Sequence, residues 1–173
     1  MIDKVIHSVT PNLPYVWARR ISKSALSLLT AIIAVGLATQ ATGANDPATI
    51  VKSQSALARL LNNSGVTLQW ISWAGNDRGL VETRWQGKTV RLEAEQRDRS
   101  TGAYVRLNGI VTSIDQNSFT FRGTIEILGT PNAERRCRSD GEWRFAATQN
   151  RKYWRLRQFE WCDDRTDYID IYF

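Results

Sequence analysis

The 173-residue chain holds one histidine, one methionine and two cysteines, and the first two, His7 and Met1, lie at its very start. Beyond residue 7 there is no imidazole to act as a general base. That excludes a Ser-His-Asp or Cys-His nucleophile, and with it a histidine-ligated zinc or haem. Two cysteines cannot complete a structural zinc site either. Lysine is scarce too: after residue 44 only Lys52, Lys88 and Lys152 remain, against 16 arginines. Arginine holds its charge when half-buried and pairs bidentately with carboxylates. There is no internal repeat at a fixed period and no low-complexity segment. A hydrophobic content of 42% excludes a disordered tail, and 23% charge excludes a multi-span membrane protein.

The first 44 residues have a composition of their own. Lys4, Arg19, Arg20 and Lys23 stand against Asp3, then ALSLLTAIIAVGLA (25–38) leads into the small-residue run TQATGA (39–44). A basic lead, an apolar stretch and small residues predict a signal peptide over 1–44, cut after Ala41, Gly43 or Ala44. The apolar stretch is shorter than the roughly 18–20 residues a spanning helix needs, so no stable membrane span is expected after cleavage. Arg19-Arg20 precede Ile-Ser-Lys rather than a hydrophobic pair, and so read as part of the positive lead. The product is an exported protein, periplasmic or secreted, running from residue 45. Its 19 Lys and Arg against 16 Asp and Glu leave a net charge of +3. That field is too weak to predict a nucleic-acid partner. No cofactor or metal is expected.

In an exported chain an even pair of cysteines reads as a disulfide. Cys137 and Cys162 flank two alternating segments, EWRFAATQ (142–149) and KYWRLRQFEW (152–161). A hairpin turning at Gln149-Asn150 would oppose residues whose numbers sum to 299, as those of the two cysteines do. The bridge would then clamp the open end of the hairpin. Closing such a loop is worth about 3–3.5 kcal/mol in the chain-entropy model. A redox role would want a C-x-x-C spacing or a histidine partner, and neither is present.

Residues 45–65 read as a linker and one short helix. Ser53 or Ser55 can cap it, Leu57, Leu60 and Leu61 form its apolar stripe, and Gly65 suits its end. From 66 to 173 the pattern alternates. Segments 66–73, 81–86, a strand from Val90 to Arg97, 103–114, 119–128, the two hairpin arms and 168–173 make eight strands joined by turn-rich links. Gly109 marks a kink, and Gly123 sits on an apolar face where a curved sheet wants no side chain. The expected fold is all-β: an eight-stranded antiparallel up-and-down barrel of lipocalin-like outline, the helix plugging or flanking one end. A β-sandwich is the alternative.

Two sets of residues are candidates for a site. Trp70, Trp85, Phe121, Phe145 and Trp154 share a parity that would let them line a cavity, although aromatics as often simply fill a core. Arg151, Tyr153, Arg155 and Arg157, joined by Arg144 on the partner strand, form an aromatic-interleaved basic face that can bind anions, unless its arginines pair with acids such as Glu93, Glu95, Glu142 or Asp170. No catalytic residue is assigned. The close carboxylates, Asp163-Asp164, Asp140 with Glu142, and Asp167 with Asp170, stand largely where turns favour Asp, without the separation a glycosidase pair or the glycine loop a calcium site needs.

Asp140-Gly141, Arg151-Lys-Tyr-Trp-Arg-Leu156, the two cysteines and residues 167–173 together resemble a group of short exported proteins of proteobacteria that carries no assigned function. The resemblance implies a bacterial, exported, β-rich domain and supplies no substrate. The expected role is that of a non-enzymatic barrel binding a small apolar or amphipathic ligand, or a cell-envelope component, inside or at its mouth. The alternative is a protein-interaction module, such as an inhibitor of a secreted enzyme, working through its Arg-rich outer face.

Overall fold

The computed structural model describes residues 46–173, so the signal peptide expected over 1–44 lies outside it. The chain enters through a two-residue strand, β1 (Ile50–Val51), which pairs in parallel with the later β5 and has no counterpart in the sequence pattern. Ser53 then caps α1 (Gln54–Leu61), its hydroxyl oxygen accepting from the Ala56 N–H at 3.2 Å. Ala56, Leu57 and Leu60 are the buried stripe of that helix.

Beyond it lie β2 (Val66–Leu68), α2 (Gln69–Ser72), β3 (Leu80–Gln86), β4 (Thr89–Arg97), β5 (Tyr104–Ile114), β6 (Ser118–Leu128), β7 (Arg136–Ala146), β8 (Tyr153–Leu156) and β9 (Ile169–Tyr172). Strands β3 to β9 form an antiparallel meander, and β2 joins it against β9. Eight antiparallel strands thus form one nearly closed barrel; there is a single sheet, so the sandwich does not apply. Parity divides the side chains as expected: Leu92, Val105, Phe119, Phe121, Ile125 and Ile127 are buried inside.

The barrel closes between β2 and β3 through one bridge, Val66 with Gly79. Beyond that bridge α1 covers the seam. The Asn63 amide donates to the Leu60 and Val81 carbonyls, and the Thr83 hydroxyl donates to the Leu60 carbonyl. A sheet edge left open would present unpaired backbone to other chains, and a helix laid along it removes that hazard.

Three inward glycines, Gly109, Gly123 and Gly141, stand in register across β5, β6 and β7. A Cβ on Gly123 would run into the Asn108 carbonyl, and its φ of +157° lies at the limit of what side chains tolerate. The side chain of Trp143 lies against Gly141, and its indole donates to the Gly123 carbonyl at 2.8 Å. The gap that lets the sheet bend is thereby filled by a neighbour's ring.

Three expectations need correction, and in two of them a glutamine side chain stands where a strand was expected. The strand expected over 66–73 stops at Leu68 and gives way to the single turn α2. Here the Gln69 side chain replaces a strand, donating to the Thr166 carbonyl at 2.5 Å and accepting from the Tyr168 N–H at 2.6 Å. The hairpin of β7 and β8 does turn at Gln149-Asn150, but Phe145 faces Leu156 and Ala146 faces Arg155, a register summing to 301 rather than 299. The strand expected to run to residue 161 ends at Leu156. From there Gln158 takes over, accepting from the Arg144 N–H and donating to the Glu142 carbonyl. The disulfide between Cys137 and Cys162 is present, with Cα atoms 5.8 Å apart, but loop 157–168 rather than a strand register returns Cys162 to its partner.

The link from β4 to β5 carries a pH-sensitive turn. Asp98 accepts from the Ser100 hydroxyl and N–H and from the Thr101 N–H. The Ser100 contacts dominate and push its pKa from 3.8 down to about 2. A carboxyl lowered in the folded state contributes stability above its unfolded value that is lost as pH falls through the folded one. Stability should therefore drop between about pH 4 and pH 2, and Asp98→Asn should flatten that drop. Urea midpoints of both proteins across this window check it.

Candidate functional site

Of the five aromatics considered as a cavity lining, three are packed in the core and two lie nearer the surface. Phe121, Phe145 and Trp154 are fully buried and fill the interior together with Phe119, which stacks on Phe145 at 4.9 Å and meets Trp154 edge-on at 5.5 Å. Trp85 is 46% exposed near the β3–β4 turn. Trp70 packs partly buried against the core, its indole donating to Asp167 at 3.0 Å.

The basic face is divided as well. Arg155 is held by Asp170 through two bonds of 2.7 Å and stacks over Tyr168 at 4.0 Å, so the pairing with Asp170 that the sequence suggested is present. Tyr153 lies beside Tyr172, and Arg144 and Arg157 are exposed on the outer surface. Arg151 points elsewhere, into a cleft at the end of the barrel where the β7–β8 turn lies.

Of the close carboxylates singled out from the sequence, Asp163, Asp167 and Asp170 pair with arginines, while Asp140, Glu142 and Asp164 take part in no ion pair among the described residues. Arg135, with 3% of its side chain exposed, sits between Asp163 and Asp167. It donates to both oxygens of each, at 2.8 to 2.9 Å, and to the Thr130 carbonyl at 3.2 Å. Hydrogen bonding to that guanidinium holds the Asp163 carboxyl below the usual carboxylate range. A buried guanidinium between two carboxylates takes the place a cation would, and it engages both oxygens of each. Cys137, Cys162 and Asp163 lie close together, but sulfurs joined in a disulfide are not thiolate ligands.

A cleft of about 600 Å³ opens on the outer face of β3, β4 and β5 and is lined by Leu80, Glu82, Glu93, Glu95, Arg97 and Arg106 among others. A second, about 340 Å³, continues it along the loop of residues 75–79, sharing Leu80, Glu95 and Arg97. Leu80 is 77% exposed. Glu95 pairs with Arg97 at 2.8 Å and Arg106 at 2.6 Å, and both guanidiniums lie over Tyr104. Leu80 had a signal in the sequence that went unread: it shares its parity with the outward Glu82 and Arg84. Arg135 had none, since its two acids lie 28 and 32 residues away.

The PM1083 family model matches residues 48–173, from just before β1 to the end of the barrel. The chain belongs to this family. A relative from Pasteurella multocida (strain Pm70), whose printed name is Uncharacterized protein PM1083, is 37% identical over 117 residues, covering 66% of this chain and 74% of the relative. No solved structure matches. The PM1083 family is bacterial, as the C-terminal motif implied, and the likeness takes in the whole described barrel rather than its last strands alone. Among the described residues no helix is long and apolar enough to cross a membrane.

Proposed function

We propose that the protein is an exported, non-catalytic binding module that holds a partner protein in the groove beside Leu80. The observation that carries this reading is the division of the barrel into a filled inside and an indented outside. Phe119, Phe121, Phe145 and Trp154 occupy the space a lipocalin-type ligand would need, while a cleft of about 600 Å³ lies on the outer face. An exposed leucine set among Glu82, Glu93, Glu95, Arg97 and Arg106 offers a partner protein an apolar anchor within a charged rim. The disulfide suits an oxidising compartment, which supports export.

A photo-crosslinking residue at Leu80, in protein exported by its own host, should capture one partner. The same residue at Arg122, exposed on β6, should capture none, and Arg106→Glu should lower the Leu80 yield several-fold. Rising salt should weaken capture, because the rim is charged. The reading is overturned if Leu80 and Arg122 behave alike, or if native mass spectrometry finds a small molecule retained by both the parent and Leu80→Glu.

A further inference from the structure

A third cleft has the opposite character. About 350 Å³ in volume, it is lined by Arg59 of α1, Asn117 of the β5–β6 turn, Gln149, Asn150, Arg151 and Lys152 of the β7–β8 hairpin, with Ala147 and Phe173 as its apolar walls. Its lining side chains include three cations and no Glu or Asp, whereas the cleft beside Leu80 is lined by three glutamates. Among the described residues Arg59, Arg151 and Lys152 take part in no ion pair.

The cations are placed before any ligand arrives. The Arg59 guanidinium lies over the Phe173 ring at 4.5 Å and the buried Trp154 ring at 5.4 Å, and donates to the Gln116 carbonyl at 2.5 Å. One of its N–H groups is thereby used and the others remain for a ligand. Arg151 donates to the Gln149 side-chain oxygen at 2.9 Å. The Ala147 N–H donates to the Asn117 carbonyl at 2.8 Å, tying the two turns that form the rim.

The turn itself points to a ligand. Gln149 and Asn150 both adopt left-handed backbone, with φ of +56° and +57°. Consecutive residues of this kind close a hairpin most comfortably as Asn-Gly or Gly-Gly. This hairpin instead carries two amide side chains, one of them glutamine. Keeping side chains where glycine is preferred costs some strain, and here both of them line the cleft.

We infer that this cleft binds a phosphate monoester, either free or on a lipid headgroup. Such a group carries a charge of about −1.5 to −2 at neutral pH, which matches two guanidiniums and an ammonium. The volume, at the low end for ligand sites, admits the phosphate and its first glycerol or sugar rather than a whole lipid. The amides of Asn117, Gln149 and Asn150 would donate to the remaining oxygens.

The test uses protein purified after export from its host, with glycerol 3-phosphate followed by calorimetry. Flotation with phosphatidylcholine vesicles, with and without phosphatidic acid, forms the second arm. Saturable binding of glycerol 3-phosphate, weakened about tenfold by Arg151→Gln and again by Lys152→Gln, is expected. Gln149→Gly with Asn150→Gly should melt at or above the parent temperature while binding more weakly, which separates lost binding from lost folding. Binding in the soluble arm alone assigns the site to free phosphate compounds. Recruitment to phosphatidic acid vesicles that the Arg151 variant loses assigns it to a headgroup. Absence of binding in both arms, or binding indifferent to all these variants, overturns the inference. The groove beside Leu80 shares no residue with this cleft, so either reading can fail alone.

Discussion

Asp167→Ala should lower the stability of the barrel by about 3–5 kcal/mol, read as a fall in the urea midpoint. The Asp167 side chain is fully buried and that of Arg135 is 3% exposed. Removing the carboxylate leaves a guanidinium in the interior facing only Asp163, which is itself 37% exposed. It also strips the Trp70 indole of its acceptor. The loss comes from the two hydrogen bonds and the fully buried counter-charge that the guanidinium gives up, leaving it paired only with the more exposed Asp163, and truncating one partner of a buried pair costs far more than the pair contributes. Arg135→Met combined with Asp167→Leu should therefore recover most of what Asp167→Ala loses. By contrast Arg138→Ala, which breaks the largely exposed contact with Glu126 at 3.5 Å, should change stability by less than about 1 kcal/mol. A loss below that level for Asp167→Ala would sink the view that this cluster is a structural clamp.

What could be read in advance follows from how each feature is encoded. Strand parity is local: Phe119, Phe121 and Ile125 repeat at a spacing of two, and the sheet has little choice but to turn them inward. Gly109 and Gly123 were legible for the same reason, each being a gap in its own strand's apolar series. The seam was not, because it depends on where α1 ends relative to β3, a distance no periodicity carries. Nor were the two glutamines. Gln69 and Gln158 are ordinary polar residues by composition, yet each does a backbone's work by offering an amide at the place a strand would. The basic face misled in a more instructive way. Alternation sets Trp154 and Leu156, both buried, on the side opposite Arg155, but it cannot say that Arg155 meets Asp170 across β8 and β9 while Arg151 turns away toward Arg59. Charge is legible from sequence; neutralisation is a matter of pairing.

Loop 157–168, which alternation assigned in part to a strand, is fastened by two devices, and this sets the other large effect expected. The disulfide spans a sequence separation of 25, so Cys137→Ala with Cys162→Ala should cost about 3–3.5 kcal/mol by restoring the loop-closure entropy of the unfolded chain. Cys137 is 3% exposed and sits among core residues, so alanine is the better probe than serine, whose buried hydroxyl would add a penalty of its own. The clamp of Arg135 on Asp163 and Asp167 lies in the same loop, immediately after Cys162. Freed of the disulfide, the loop samples positions in which Arg135 no longer reaches both acids, and part of what Asp167 contributes is already gone. Asp167→Ala should therefore cost less without the disulfide than with it, a coupling that urea unfolding of the four proteins measures directly. The Trp143–Trp161 pair, with ring centres 5.4 Å apart, joins β7 to this loop, so tryptophan emission should shift when the loop detaches ahead of the barrel. Strict additivity, together with an emission change that coincides with global unfolding in every variant, would mean that the loop is held by the barrel as a whole rather than by these two fastenings.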